Sequence, residues 1–201
     1  MVNLVAVTGG IGAGKSTVLA ALDRRGQRTL DSDAVVHRLY RPGSPLCAAL
    51  AARWGVEILD GDGAVNRAAV AAKVFADAGE LEWLNRLVHP AVKAEIRGQA
   101  AAAGSLLFCA IPLLFEVGWE TEALCTLAVW CDRRTQRERL RRRGWNAAEI
   151  ERREAAQLSM DDKLERADFA VINHGGRERL DEQIARILQR IAPLPPPSGA
   201  R

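Results

Sequence analysis

Five short runs punctuate the chain, at residues 2–7, 27–30, 106–111, 124–131 and 169–172. The clearest, Val2-Asn3-Leu4-Val5-Ala6-Val7, is apolar almost throughout and stops at Thr8-Gly9-Gly10. A run this short, without polar alternation and ended by glycine, reads as a strand covered on both faces, as parallel strands are. Helical periodicity fills the intervals. It starts at residues 17–25, after the glycines. Leu81, Leu84, Leu87 and Val88 repeat at helical spacing up to His89-Pro90, and Leu180, Ile184, Ile187, Leu188 and Ile191 repeat near the C-terminus. Strands alternating with helices predict an α/β protein, a five-stranded parallel sheet covered by helices.

The spacing is uneven. About seventy residues separate the second run from the third, with helical patterns and the turn-rich Asp60-Gly61-Asp62-Gly63 between them. This predicts a helical insertion at about residues 36–104 in a core built from about 1–35 and 105–192. A chain of 201 residues suits one domain with such an insertion. Residues 137–157 are dense in charge, with Arg137, Arg139, Arg141, Arg142 and Arg143. They read either as a solvated helix face, with Glu138, Glu149, Glu151 and Glu154 nearby, or as an arginine-bearing lid. Residues 193–201 contain Pro195-Pro196-Pro197 and are expected to form an extended, flexible tail.

Composition narrows the class without naming it. Hydrophobic residues at 48% and charged residues at 26% are ordinary globular proportions and exclude a disordered chain. The net charge of +3 excludes a histone-like binder of nucleic acid, but not a local basic site for an anion. Residues 106–115, the longest strongly apolar run, are too few to span a bilayer and include Pro112. The N-terminus lacks a basic n-region and a cleavage site. A cytoplasmic protein with no nucleic-acid or membrane partner is expected, a monomer with weak oligomerisation left open. Cys47, Cys109, Cys125 and Cys131 show neither CxxC spacing nor a nearby histidine partner, so no zinc site is expected. Cys109 and Cys131 lie in apolar runs and read as reduced, small core residues.

The strongest chemical signal is Gly9-Gly10-Ile11-Gly12-Ala13-Gly14-Lys15-Ser16-Thr17, which matches G-x-x-x-x-G-K-[ST] in full, with a strand before it and a helix after it. Glycines allow the backbone angles that let amide N–H groups close around phosphate oxygens, and the helix that follows adds its positive end. Lys15 would place its ammonium on the β- and γ-phosphates, and Ser16 its hydroxyl on Mg²⁺. Thr17 would lie near the α-phosphate. A nucleoside triphosphate is the expected ligand. The guanine-reading Asn-Lys-x-Asp is absent from the sequence, which argues against a switch GTPase. The apolar runs do not end in Asp-Glu, which argues against a motor ATPase. Small size, the insertion after the second run and the arginine-rich stretch favour a phosphotransferase of the nucleoside-monophosphate-kinase type.

Phosphorylating a hydroxyl calls for a carboxylate that orients it and takes its proton. Asp31-Ser32-Asp33 follows the second run, at the strand end where such sheets bind ligands. Either acid could equally cap a helix starting at Ala34. His89 could touch a ligand or simply end a helix before Pro90. Glu116 could be a helix cap, and Arg67 could meet an acceptor phosphate or start a helix.

These motifs, taken in order, resemble the dephospho-CoA kinase family. The likeness rests on Thr8 to Thr17, Asp31-Ser32-Asp33 and Pro42-Gly43-Ser44-Pro45. It continues through Leu84-Asn85-Arg86-Leu87-Val88-His89-Pro90 and Pro112-Leu113-Leu114-Phe115-Glu116. Thr135-Gln136 with Arg139 and Arg143, Ala155-Ala156-Gln157, Ala167-Asp168-Phe169 and Asn173 complete it. It covers nearly all of the chain except the proline tail. The resemblance implies transfer of the γ-phosphoryl of ATP to the ribose 3′-hydroxyl of dephospho-CoA, giving CoA and ADP. It implies Asp33 as base and Asp31 as an accessory carboxylate, with Mg²⁺ as the ion. It places dephospho-CoA on the insertion, with His89, Pro112 and Leu113 along the acceptor. It puts Arg139 and Arg143 on the lid and Asn173 near adenine. Three departures stand out: Ser32 for the usual Ala, Ala110 for a frequent Asp, and Ile172 for an Asp before Asn173.

Overall fold

The computed structural model describes residues 3–191. Val2 and the proline-rich segment 193–201, expected as a flexible tail, lie outside the described residues. The chain divides into two compact units. One runs up to Asp31 and resumes at Gln99, and the other is Ser32–Gly98.

The first unit holds the five strands β1 (Leu4–Thr8), β2 (Arg28–Asp31), β3 (Leu107–Ala110), β4 (Cys125–Trp130) and β5 (Phe169–Ile172). They form one sheet in the order β2-β3-β1-β4-β5, with all four pairings parallel. Each of the five runs read from the sequence is a strand, displaced by at most two residues. The order puts β1 in the centre, where the chain's crossovers switch from one side of the sheet to the other. Ligands bind beyond the carboxyl ends of strands at such a point. Those ends carry Thr8, Asp31, Ala110, Trp130 and Ile172. Asp31 stands opposite Ala110 in register.

Helices α1 (Lys15–Asp23) and α9 (Arg177–Ile191) clothe the sheet. Val18 and Leu22 of α1 join Val5, Val7, Phe108, Leu127 and Val129 of the strands in one core with Leu180, Ile184, Ile187 and Ile191 of α9. Those four α9 residues recur every three or four positions, so one stripe of the helix is dry and the rest is wet. Burying each such aliphatic side chain stabilises the fold by about 1.5–3 kcal/mol before entropy is charged against it. Strand β5 lies at the sheet edge, where an unpaired backbone could recruit another strand. Gln183 of α9 covers it. The Ile172 N–H donates to Gln183 Oε1 at 2.9 Å, and Gln183 Nε2 donates to the Ile172 carbonyl at 3.0 Å.

The second unit is helical: α2 (Ser32–Leu39), α3 (Pro45–Trp54), α4 (Arg67–Ala76) and α5 (Ala78–Ala102), the last extending past Gly98. Tyr40, Leu46, Leu50, Trp54, Ile58, Val70, Val74 and Leu84 form its core. Ser44 caps α3 by accepting from the Cys47 N–H at 3.0 Å, with Pro45 in the first turn where a missing N–H costs nothing. Glu80 accepts from Trp54 Nε1 at 2.8 Å and from Arg53 at 2.7 and 3.0 Å, tying α3 to α5.

Helix α5 departs from the sequence reading. The periodic pattern was expected to stop at His89-Pro90, but the helix runs on through Pro90 to Ala102. Pro90 cannot donate to the Arg86 carbonyl, a defect that costs a helix interior about 3 kcal/mol. The burial of Leu84 before it and of Val92, Ile96 and Ala100 after it offsets that loss. His89 therefore ends no helix.

Asp168 joins the last two strands. Its Oδ2 accepts from both the N–H and the hydroxyl of Thr126 at 2.8 Å, and its own N–H donates to Thr126 Oγ1 at 2.9 Å. Asp168→Ala is expected to destabilise the protein by about 2 kcal/mol, since hydrogen bonds to a charged group contribute about 1.5–3. Urea unfolding checks this. A midpoint equal to that of the unaltered protein would show that the contact contributes nothing to stability.

Candidate active site

Residues 9–14 leave β1 and turn directly into α1, which begins at Lys15, two residues earlier than its periodicity suggests. Every carbonyl from Gly9 to Gly14 accepts a hydrogen bond. Lys15 Nζ donates to Gly9 O at 2.6 Å and Gly10 O at 3.1 Å. Gln136 Nε2 donates to Ile11 O at 2.9 Å. Arg139 Nη1 reaches Gly12 O at 3.4 Å and Ala13 O at 3.0 Å, and Asn173 Nδ2 donates to Ala13 O at 2.8 Å. Thr17 and Val18 donate their N–H groups to Gly14 O at 3.0 and 3.1 Å. A trans peptide points its N–H opposite its C=O. Peptides whose carbonyls turn toward these donors point their N–H groups the other way, as an anion requires, except at Ala13, whose N–H donates to Gly10 O at 3.3 Å. Ser16 and Thr17 are exposed at the start of α1, where the helix end favours negative charge.

Two glycines are fixed by what lies behind the loop. Gly14 has φ +98°, and a Cβ there would fall 2.1 Å from Asn173 Nδ2. A Cβ on Gly9 would fall 2.4 Å from the Val129 carbonyl. Neither position tolerates a side chain.

Helix α6 (Arg133–Arg142) supplies the bracing groups. Asp132 caps it, accepting from the Thr135 N–H at 2.8 Å and the Thr135 hydroxyl at 2.7 Å. These bonds hold its carboxyl below the usual range. Gln136 and Arg139 then lie three residues apart on one face. Arg139 also donates through Nη2 to the Asn173 carbonyl at 2.8 Å, so one guanidinium joins the loop to the end of β5. The arginine run thus splits. Arg139 turns inward, Arg137 pairs with Glu154 of α7 (Ala147–Ala155) at 3.3 Å, and Arg141, Arg142 and Arg143 are exposed. Arg143 sits at the C-cap of α6. A cavity of about 440 Å³ opens beside Gly10 and Ile11, lined further by Asp132, Gln136, Glu154 and Met160.

Asn173 is 4% exposed. Its amide nitrogen serves the loop from below, whereas the family likeness puts it near adenine. The neighbouring His174 is exposed, with Nδ1 3.2 Å from Asp132 Oδ2. Pro112 and Leu113 follow β3. Leu113 is 38% exposed while Leu114 and Phe115 are buried. Asp31 ends β2, half-buried.

Asp33 and His89 belong to the helical unit. Helix α2 starts at Ser32 rather than at Ala34, so Asp33 lies inside the first turn and is not its cap. It is exposed. Burial, and then the Lys93 ammonium one turn on, hold the His89 imidazole below its ordinary value near 6.5. The four cysteines are free and buried. Burial pushes the Cys109 and Cys125 thiols up to about 12, with Asp31 and Asp168 respectively adding to it, so neither is a nucleophile at neutral pH. Sequence reasoning missed the bracing role of Gln136 and passed over Lys163, whose side chain is fully buried.

A strand, a braced glycine loop and a helix at the switch point of a five-stranded parallel sheet define a P-loop kinase of small molecules. The family model described as dephospho-CoA kinase matches residues 3–179. A dephospho-CoA kinase from Anaeromyxobacter dehalogenans is 43% identical over 92% of this chain and 90% of the relative. One from Methylococcus capsulatus is 38% identical over 95% and 98%. A Thermus thermophilus protein of known structure superposes with a TM-score of 0.77 at 32% identity over 93% of this chain and 96% of that one. A shikimate kinase from Acinetobacter baumannii shares the fold, with a TM-score of 0.57 at 16% identity over 93% of each chain. The chain belongs to the dephospho-CoA kinase family. Its activity is that of an ATP-dependent kinase acting on dephospho-CoA, a transferase of coenzyme A biosynthesis. Among the described residues, no helix is long and apolar enough to cross a membrane.

Asn173→Ala removes one brace and is expected to weaken ATP binding about tenfold, the equivalent of roughly one buried hydrogen bond. Calorimetric titration with ATP checks it, and an unchanged affinity would show that the loop holds its shape without this residue. For His89, folding favours the neutral ring, so the unfolded chain binds more protons there. Its contribution to stability therefore falls as pH drops below about 6.5 and levels off below the folded value. NMR titration should find the His89 pKa below 6.5, with Lys93→Gln raising it part of the way, because burial is the larger cause.

Proposed function

We propose that phosphoryl transfer uses the braced loop to hold ATP and Asp33 to orient the ribose 3′-hydroxyl of dephospho-CoA. The observation that carries this reading is the unbroken row of satisfied carbonyls from Gly9 to Gly14, which fixes the shape of the loop that would receive the phosphates. Backbone groups of Gly10, Ile11, Gly12, Ala13, Gly14 and Lys15 surround them. Lys15 exchanges the Gly9 and Gly10 carbonyls for oxygens of the β- and γ-phosphates. Thr17 lies by the α-phosphate. Adenine rests beside the turn after β5, where Asn173 and Arg139 shape the floor.

An Mg²⁺ site fits this donor set. The ion prefers hard oxygens and keeps several waters, taking few protein ligands beside phosphate. Ser16 offers an exposed hydroxyl, and Asp31 offers a carboxylate at the same edge of the sheet, acting through water. Among the described residues no three His, Cys, Asp or Glu side chains gather to hold a metal, as suits an ion held largely by nucleotide. When bound, Mg²⁺ neutralises charge on the β- and γ-oxygens.

The helical unit, Ser32–Gly98, is the acceptor lobe in this reading, with His89, Pro112 and Leu113 along the bound dephospho-CoA. The 3′-oxygen attacks the γ-phosphorus as its proton passes to the Asp33 carboxylate. The bond from that phosphorus to the bridging oxygen breaks, and ADP leaves. The lid expectation for Arg139 does not fit its position, because its guanidinium is held by the Gly12, Ala13 and Asn173 carbonyls and braces the loop; Arg143 is left to offset charge on the transferring group as the lid, residues 137–157, closes and excludes water.

Asp33→Asn is expected to lower kcat by roughly 10²–10⁴, the usual span for a general base. ATP affinity should stay within a few-fold, because Asp33 makes no contact with nucleotide in this scheme. ADP release with dephospho-CoA as acceptor measures the first, with AMP and gluconate as comparison acceptors, and titration measures the second. Normal turnover by the variant would overturn the assignment.

A further inference from the structure

Helix α8 (Met160–Arg166) carries a lysine in an unusual setting. Its sequence, Met160-Asp161-Asp162-Lys163-Leu164-Glu165-Arg166, is that of a solvated helix, yet the Lys163 side chain is 0% exposed. Its ammonium lies 2.8 Å from Glu116 Oε1 and donates to the Pro112 carbonyl at 2.5 Å. The same Glu116 oxygen accepts from the Leu158 N–H at 2.8 Å. Glu116 Oε2 is buried with no hydrogen-bond partner. Both ends of segment 112–116 are therefore tied to the stretch 158–163 through one ion pair.

Helix α8 is itself held on several sides. Ser159 and Asp162 form a reciprocal cap at its start. Met160 packs against the phosphate loop so closely that a Cβ on Gly10 would lie 2.6 Å from its Cγ. Trp130 Nε1 donates to Asp161 Oδ1 at 2.7 Å. The Arg166 guanidinium sits 4.5 Å from the centroid of the Phe115 ring and pairs with Glu120 at 3.1 Å. The helix thus behaves as a post between the phosphate loop on one side and segment 112–116 on the other.

A buried ion pair adds little net stability, because the cost of desolvating two charges offsets their attraction. What it supplies is geometry. With Pro112 and Glu116 fixed, and Leu114 and Phe115 buried, Leu113 is the one large side chain of the segment left facing solvent. We propose that Glu116 and Lys163 are positioning residues: their buried pair fixes the Pro112–Leu113 edge at a set distance from the phosphate loop and so sets productive binding of the acceptor. The inference rests on the reading that Pro112 and Leu113 border dephospho-CoA.

The test is the neutral, nearly isosteric double variant Glu116→Gln/Lys163→Met. It leaves no unpaired buried charge, so its melting temperature should stay near or above that of the unaltered enzyme. kcat/KM for dephospho-CoA should fall ten- to a hundredfold, while KM for ATP stays within threefold. Wild-type values for dephospho-CoA, or equal losses for both substrates, would overturn the proposal in favour of a purely structural pair. Should the double variant fail to fold, hydrogen exchange in the unaltered enzyme decides. Coupling is reciprocal, so dephospho-CoA alone should slow exchange of the Leu158 amide several-fold, and an unchanged rate would overturn the proposal. Leu113→Ala separates the two readings. If it leaves KM for dephospho-CoA unchanged, the acceptor placement fails, whatever the double variant does. If it raises KM while the double variant is silent, the positioning role fails.

Discussion

The site depends on one arrangement, the satisfaction of six successive backbone carbonyls from Gly9 to Gly14 by donors from the elements around the loop. A glycine-rich loop left to itself samples many conformations, and fixing each residue costs about 1–2 kcal/mol. Here the donors come from three separate elements, α1 through Lys15, α6 through Gln136 and Arg139, and the end of β5 through Asn173. Each gives its bond only when its own element is docked. Loop shape is thus a property of the packed unit, set before any anion arrives. Preorganisation of this kind is what makes dipoles effective against charge that develops in a reaction.

The sheet order determines which elements can reach the loop. With β1 central, its neighbours β3 and β4 both end beside it. From β3 the chain enters segment 112–116, and from β4 it enters the Asp132 cap and α6. Strand β5 lies one place further out and delivers Asn173, whose N–H donates to the Trp130 carbonyl at 2.7 Å. The cap on α6 has a consequence beyond its own helix. It sets the first turn, hence the phase, and the phase decides that Gln136 and Arg139 face the loop while Arg141 and Arg142 face water.

Much of this was legible in the sequence because its chemistry is local. The glycines, Lys15 and Ser16 announce a phosphate loop through spacing alone, and five short runs, four of them apolar, announce the strands. Features created by distant contacts were not legible. Pro90 looks like the end of a helix, and only the buried stripe of Leu84, Val92 and Ile96 shows why α5 continues. Lys163 sits among four charged neighbours on α8 and reads as solvated, yet Glu116, far away in the chain, draws it inside. Asn173 carried a family signature that suggested a nucleotide contact. Its position under Ala13 depends on the register of β5 against β4, which no spacing reveals. Asp33 is intermediate: its proximity to strand β2 was legible, but the helix boundary at Ser32 that removes it from the cap was not.

The location of Asp33 bears on what it has to do. A carboxylate in the first turn of α2 sits where the helix end favours negative charge, and in the proposed scheme it orients the acceptor hydroxyl and takes its proton. Phosphoryl transfer asks for little more. Its transition state is loose, the nucleophile is only weakly bonded, and much of the rate comes from alignment and from offsetting charge on the transferred oxygens. On that account the demand falls on distances, and within the sheet unit the braced loop and the α8 post hold the one between the phosphate loop and the Pro112–Leu113 edge.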